Sequence, residues 1–202
     1  MKKYDILNKI KGNAIAIVRG DSAEDVEKCC YALYEGGIRV MELPLTTPYV
    51  LDALKNVSKT LKDAVVGAGS VLDSESARIA ILYGAQFIVT PALNEGAVKT
   101  CNRYGIPIIP GVATATEATN ALSMGVDVVK LFPASNYSYS IIKELKAPLS
   151  NLEIVPTGGV NAENFPVWMQ NGAFACGVGG SLTAGIKSQD WESVKLAAKK
   201  FL

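Results

Sequence analysis

Residues 125–133 read GVDVVKLFP: a glycine, a short apolar run, one lysine and a proline. A valine-rich run without sustained polar alternation suits a strand buried on both faces, as parallel strands are. The glycine ahead of it follows a helical stretch at 115–123 and suits the left-handed residue that ends a helix. The unit is thus helix, glycine, buried strand, loop, and it recurs. GIRVMEL from Gly37, GAQFIVTP from Gly84, GIPIIPG from Gly105 and GAFACGVGG from Gly172 keep the same order. AIAIV from Ala14, AVVGAG from Ala64 and EIVPTGG from Glu153 supply the other strands. Helical stretches follow every strand, at about 22–35, 49–61, 74–83, 94–104, 115–123, 138–147, 162–171 and 189–201. Asp21-Ser22, Thr47-Pro48, Asp73-Ser74 and Asn161 are placed to open helices.

Eight strand–helix units at an average spacing of about 25 residues predict a parallel sheet with helical crossovers. Eight favour a closed (β/α)8 TIM barrel over an open sheet, as a single domain over 1–202. The residues before Ala14 are expected to form a short N-terminal helix that closes the bottom.

Composition narrows the function. Of 202 residues 49% are hydrophobic, ample for a core, and the formal net charge is +1. No overall field favours nucleic acid or an anionic membrane. No apolar run is long enough to span a bilayer, and MKKYDILNKIKG lacks the apolar region of a signal peptide. The cysteines, Cys29, Cys30, Cys101 and Cys176, show no C-x-x-C spacing and read as reduced, buried thiols of a cytoplasmic protein. There is no histidine. That removes His general bases, Ser-His and Cys-His pairs and most zinc sites. Proton chemistry falls to Glu, Asp, Lys, Tyr, Cys or water.

In a barrel the active site lies where the strands end. Those ends offer Arg19, Glu42, Ser70, Thr90-Pro91, Pro110-Gly111, Lys130, Thr157-Gly158-Gly159 and Gly179-Gly180-Ser181. The plainer reading of Lys130 is an ion pair with a nearby carboxylate. The sharper one is a nucleophile: apolar crowding disfavours the ammonium form, and a neutral amine attacks a ketone to form a Schiff base. The iminium then draws electrons from the adjacent C–C bond. Glu42 reads either as a partner for Lys130 or Arg19, or as the general acid/base. TGGVN and GVGGSL offer backbone N–H groups before helix starts, which suits a phosphate. GAGS at Gly67–Ser70 is consistent with close packing alone. Arg19 is a surface charge or an anion contact. Tyr137 and Tyr139 are expected to pack or cover the mouth.

The motifs GGIRVMEL, GAGSV, FIVTP, IPGVATATEA, VVKLFPAS and VPTGGVN together resemble the class I 2-keto-3-deoxy-6-phosphogluconate (KDPG) / 4-hydroxy-2-oxoglutarate (KHG) aldolase family, over nearly the whole chain. The resemblance implies that Lys130 is the Schiff-base lysine and Glu42 the catalytic glutamate, acting through a water. It implies that Gly158, Gly159, Gly180 and Ser181 hold a phosphate. Thr157 stands beside them, Pro91 and Phe132 line the pocket, and Ser70 stands where the family usually has a threonine. It further implies a phosphorylated keto-sugar acid substrate, pyruvate as a product, no metal or other cofactor, and a homotrimer. Some members carry an arginine four residues after the glutamate. Here that residue is Thr46, and Arg19 is expected to take over an anion contact. ELPLTTP and PGVATATEA also look like the phosphogalactonate branch, whereas VPTGGV looks like the phosphogluconate branch. Two rivals stand beside this reading: a phosphosugar isomerase or epimerase, and a non-catalytic phosphometabolite-binding barrel.

Overall fold

The structure, a computed structural model, describes residues 2–202. It is an α/β fold built on short parallel strands. The strands β1 (Ala14–Ile17), β2 (Val40–Pro44), β3 (Val65–Gly69), β4 (Ile88–Val89), β5 (Ile108–Ile109) and β9 (Cys176–Val178) share one sheet. Its order is β5-β4-β3-β2-β1-β9, a half-barrel of parallel strands. The strands β6 (Gly111–Val112), β7 (Val128–Leu131) and β8 (Glu153–Pro156) form a second parallel set in the order β6-β7-β8. The expected fifth strand is thus two segments around Pro110, whose ring removes a ladder donor. The Pro110 carbonyl is still used: it accepts from Lys130 N at 2.8 Å. Thr157, the first residue after β8, bridges in parallel to Gly177 of β9.

Period-2 alternation divides the core in two. Ile15, Val40, Val65, Ile109, Val128 and Val155 join one apolar cluster, together with Phe87 and Phe174. Their chain neighbours Ala16, Met41, Val66, Ile108, Val129 and Ile154 join the other, which packs under the helices. The expected N-terminal helix forms as α1 (Lys3–Ile10). Its Ile6, Leu7 and Ile10 enter the first cluster and cover one end of it.

Helices α2 (Ala23–Glu35), α3 (Val50–Thr60), α4 (Ser74–Leu82), α5 (Glu95–Tyr104), α6 (Ala115–Ser123), α7 (Ile141–Lys146), α8 (Phe165–Gln170) and α10 (Trp191–Ala198) match the expected stretches. A single-turn α9 (Gly180–Thr183) was not foreseen. Gly125 has φ 77°, a left-handed residue between α6 and β7, as the opening motif requires. Ser22 and Asp73 cap their helices, accepting from Asp25 N at 3.1 Å and Ser76 N at 2.6 Å. Two expected caps differ. Tyr49, not Thr47, is the N-cap residue of α3; it is left-handed at φ 56° and makes no side-chain cap bond. Asn161 lies four residues before α8 and instead closes a local turn, described below.

All four cysteines are free and buried. Burial pushes the thiols of Cys29, Cys101 and Cys176 up to about 12, so none of these three is a ready nucleophile.

Candidate active site

Alternation also builds the site. Val128 faces the inner cluster, so Lys130, two residues on, points to the same side near the strand end. The same step carries Ile15 to Ile17, Val40 to Glu42 and Val155 to Thr157. At this end the chain encloses a cavity of about 460 Å³. It is lined by Ile17, Arg19, Ser70, Pro91, Lys130, Phe132, the loop Thr157–Asn161, Gly177 and the segment Gly179–Ser181. Every binding residue expected from the sequence lines this cavity, and so does Lys130. Tyr137 and Tyr139 do not. The Tyr137 hydroxyl donates to Ala113 O at 2.6 Å, and Tyr139 packs edge-on against Trp168, so both hold loops in place.

Lys130 is 7% exposed. Among the described residues no carboxylate oxygen lies within 4.0 Å of its Nζ, so the plainer ion-pair reading does not hold. Its Nζ lies over the Phe132 ring, 4.8 Å from the centroid. Ser70, the first residue after β3, is held left-handed at φ 54°.

Glu42 is 3% exposed and does not itself line the cavity. Its carboxylate lies against Gly69 of the adjacent strand, where a Cβ would overlap it. Burial raises its pKa above the ordinary carboxylate value; the Lys130 and Arg19 charges pull the other way and are outweighed. A buried carboxyl group whose pKa is raised above the ordinary carboxylate value is suited to giving as well as taking protons.

The far end of the cavity is made of backbone. Gly158 and Gly159 are both left-handed, at φ 99° and 77°. Among the described residues, the N–H groups of Gly158, Gly159, Gly180 and Ser181 have no acceptor in the chain. These residues are exposed or half-exposed and line the cavity, so their N–H groups are open to a ligand, and a run of such donors suits an anion. The helix starts expected just after both motifs are late or short. Helix α8 starts only at Phe165 and α9 is a single turn. Gly177 is glycine because a Cβ there would overlap the Thr157 side chain across the bridge between them.

Sequence reading missed Ile17 as a cavity residue; Val160, Asn161, Gly177 and Gly179 stand within the TGGVN and GVGGSL motifs but are not singled out there as binding residues. Alternation from Ile15 and pairing opposite Thr157 were the signals that could have found Ile17 and Gly177. Asn161 was read as a helix cap, which hid its place in the wall.

A buried lysine, a buried glutamate of raised pKa and free backbone N–H groups around one cavity suit a carbon–carbon lyase of the aldolase type. Residues 6–197 match the model of the family described as KDPG and KHG aldolase, and the chain belongs to that family. The 2-dehydro-3-deoxy-phosphogluconate aldolase of Treponema pallidum is 36% identical over 176 residues, covering 86% of this chain and 83% of that one. The 2-dehydro-3-deoxy-6-phosphogalactonate aldolase of Escherichia coli is 33% identical over 186 residues, covering 91% of each. A crystal structure of KDPG aldolase from Legionella pneumophila, with pyruvate captured as a covalent carbinolamine, aligns with a TM-score of 0.90. It is 26% identical and the alignment covers 97% of each chain.

Proposed function

We propose that the chain is a Schiff-base aldolase that cleaves 2-dehydro-3-deoxy-6-phosphogluconate to pyruvate and glyceraldehyde 3-phosphate. The observation that carries this reading is the pairing, in one cavity, of Lys130 with four unpartnered backbone N–H groups. A keto group presented to the amine and a phosphate seated on the N–H groups would occupy the two ends of one extended substrate.

In this reading the Lys130 amine adds to the C2 ketone. The carbinolamine loses water to give an iminium. Glu42, through a water, supplies and removes the protons of these steps and then takes the proton of the C4 hydroxyl. The C3–C4 electron pair moves toward the iminium nitrogen, C4 leaves as the aldehyde, and an enamine remains. Protonation at C3 and hydrolysis by water release pyruvate and restore the amine. Arg19 contacts an anionic end of the substrate, while Ser70, Pro91, Phe132 and Thr157 line its path. The residues need no metal, because the iminium is the electron sink.

The two strand sets read together as one closed (β/α)8 barrel forming a single domain. Only Pro110 separates β5 from β6, and the Thr157–Gly177 bridge joins β8 to β9. The inner cluster draws on both strand sets, which supports the same closure. Buried, unpaired thiols support a reducing compartment such as the cytoplasm. A homotrimer is the assembly the family resemblance implies, and a surface groove with Leu45, Tyr49, Leu51, Ile79 and Tyr83 in its wall, beside Thr47, Asp52 and Ser76, offers it a face to cover.

Two related substrates compete. The phosphogalactonate epimer differs only at C4, and the similarity to the E. coli enzyme of that name favours it nearly as well. The short acid 4-hydroxy-2-oxoglutarate would leave the N–H cradle unused. A non-catalytic binding protein would have no use for the buried Lys130 and Glu42. Release of pyruvate from each C4 epimer and from 4-hydroxy-2-oxoglutarate, coupled to lactate dehydrogenase, tests the assignment. The gluconate epimer is expected to give the highest kcat/KM. A higher value for either of the others overturns it.

A further inference from the structure

The loop that carries the glycine pair contains two asparagines whose side chains interlock. Asn164 is used at both ends of its amide. Its Oδ1 accepts from Asn161 N at 2.9 Å and its Nδ2 donates to Gly159 O at 2.9 Å. Asn161 is used at one end only. Its Oδ1 accepts from Glu163 N and Asn164 N, both at 3.0 Å. Two N–H donors require an acceptor, so these bonds fix which end of the amide is oxygen. The amino end, Nδ2, has no acceptor among the described residues, and Asn161 is part of the cavity wall.

The Ser181 hydroxyl in the same wall is already engaged, donating to Val160 O at 3.3 Å. Asn161 thus holds an unspent side-chain N–H donor on the loop that carries Gly158 and Gly159, in the wall shared with Gly180 and Ser181. The pinned oxygen also removes the freedom the side chain would otherwise lose on binding, so the donor is preorganised.

We infer that Asn161 is a specificity-determining residue, whose Nδ2 donates to the phosphate of the substrate and favours phosphorylated over unphosphorylated 2-oxo acids. This rests on the aldolase reading for its substrate, but not for its chemistry, because phosphate binding can be measured alone. The informative variant is Asn161→Asp. A carboxylate still accepts the two backbone N–H bonds and keeps the turn. It replaces the donor by a negative charge facing the anion.

Two measurements test the inference, after thermal melting has shown that the variant is folded. Calorimetric titration with inorganic phosphate is expected to show at least about tenfold weaker binding to Asn161→Asp than to the unmodified chain. In cleavage, the ratio of kcat/KM for the phosphorylated substrate to that for 4-hydroxy-2-oxoglutarate is expected to fall at least about tenfold. Equal phosphate affinity in the two chains, or no phosphate binding by either, overturns the inference. Loss of cleavage of every substrate by the unmodified chain would overturn the aldolase reading instead, and the phosphate titration would still decide Asn161. Asn161→Ser, which can both accept and donate, is expected to recover part of the lost phosphate affinity.

Discussion

At the scale of single residues, Glu42 carries a cost that pH exposes. Its pKa in the folded chain lies above the ordinary value of 4.5, with burial as the leading cause. The folded state therefore holds this proton more tightly than the unfolded one. The stability from this group is fully present below 4.5 and is lost as pH rises through the raised folded value. Glu42→Gln keeps the shape and removes the titration. Its melting temperature is expected to gain on that of the unmodified chain as pH rises above 4.5, while its kcat for cleavage falls by about 100- to 10,000-fold. A melting difference that is flat with pH, or retained activity, contradicts the role given to Glu42. Lys130 and Glu42 were legible in the sequence because each interrupts an apolar strand near its end, where a barrel keeps its chemistry. What the sequence could not give was the partner of each. Lys130 sits over the Phe132 ring with no ion-pair partner among the described residues, and Glu42 leans on Gly69; both arrangements depend on contacts between segments distant in sequence or on loop geometry.

At the scale of elements, helix ends separate what patterns reveal from what backbone geometry decides. Helix α6 opens with a capping box. Thr114 Oγ1 accepts from Glu117 N at 3.2 Å, while Glu117 Oε2 accepts from Thr114 N at 3.0 Å and Ala113 N at 2.8 Å. Thr114→Ala is expected to lower unfolding stability by about 1 kcal/mol in urea titration and to leave kcat/KM within twofold. A larger loss, or a loss of activity, would mean that this cap also positions the site. The strands were legible because parallel strands buried on both faces leave unbroken apolar runs. Pro110 was in plain view, yet its consequence, a strand split in two, depends on which ladder donor it removes. The caps expected for α3 and α8 differ, since Thr47 and Asn161 have the right chemistry but the residues at the N-cap positions are Tyr49 and Asn164. Helix α9 is one turn long, too short to show a period.

At the scale of the whole molecule, the apolar surface left by folding bears on assembly. Tyr49, Leu72, Leu82 and Tyr83 are exposed around α4 and the start of α3, next to the groove described above. A stable trimer would cover such a surface. Light scattering behind size exclusion is expected to return three times the mass of the 21.4 kDa chain, and a single-chain mass contradicts the trimer. The central claim is narrower than assembly or substrate choice: the amine of Lys130 bonds covalently to the keto carbon. Incubation with pyruvate and borohydride, followed by peptide mass spectrometry, tests it directly. The account predicts a reduced pyruvate adduct on Lys130 that is absent from Lys130→Ala. No adduct, or an adduct on another lysine with Lys130 unmodified, would contradict it.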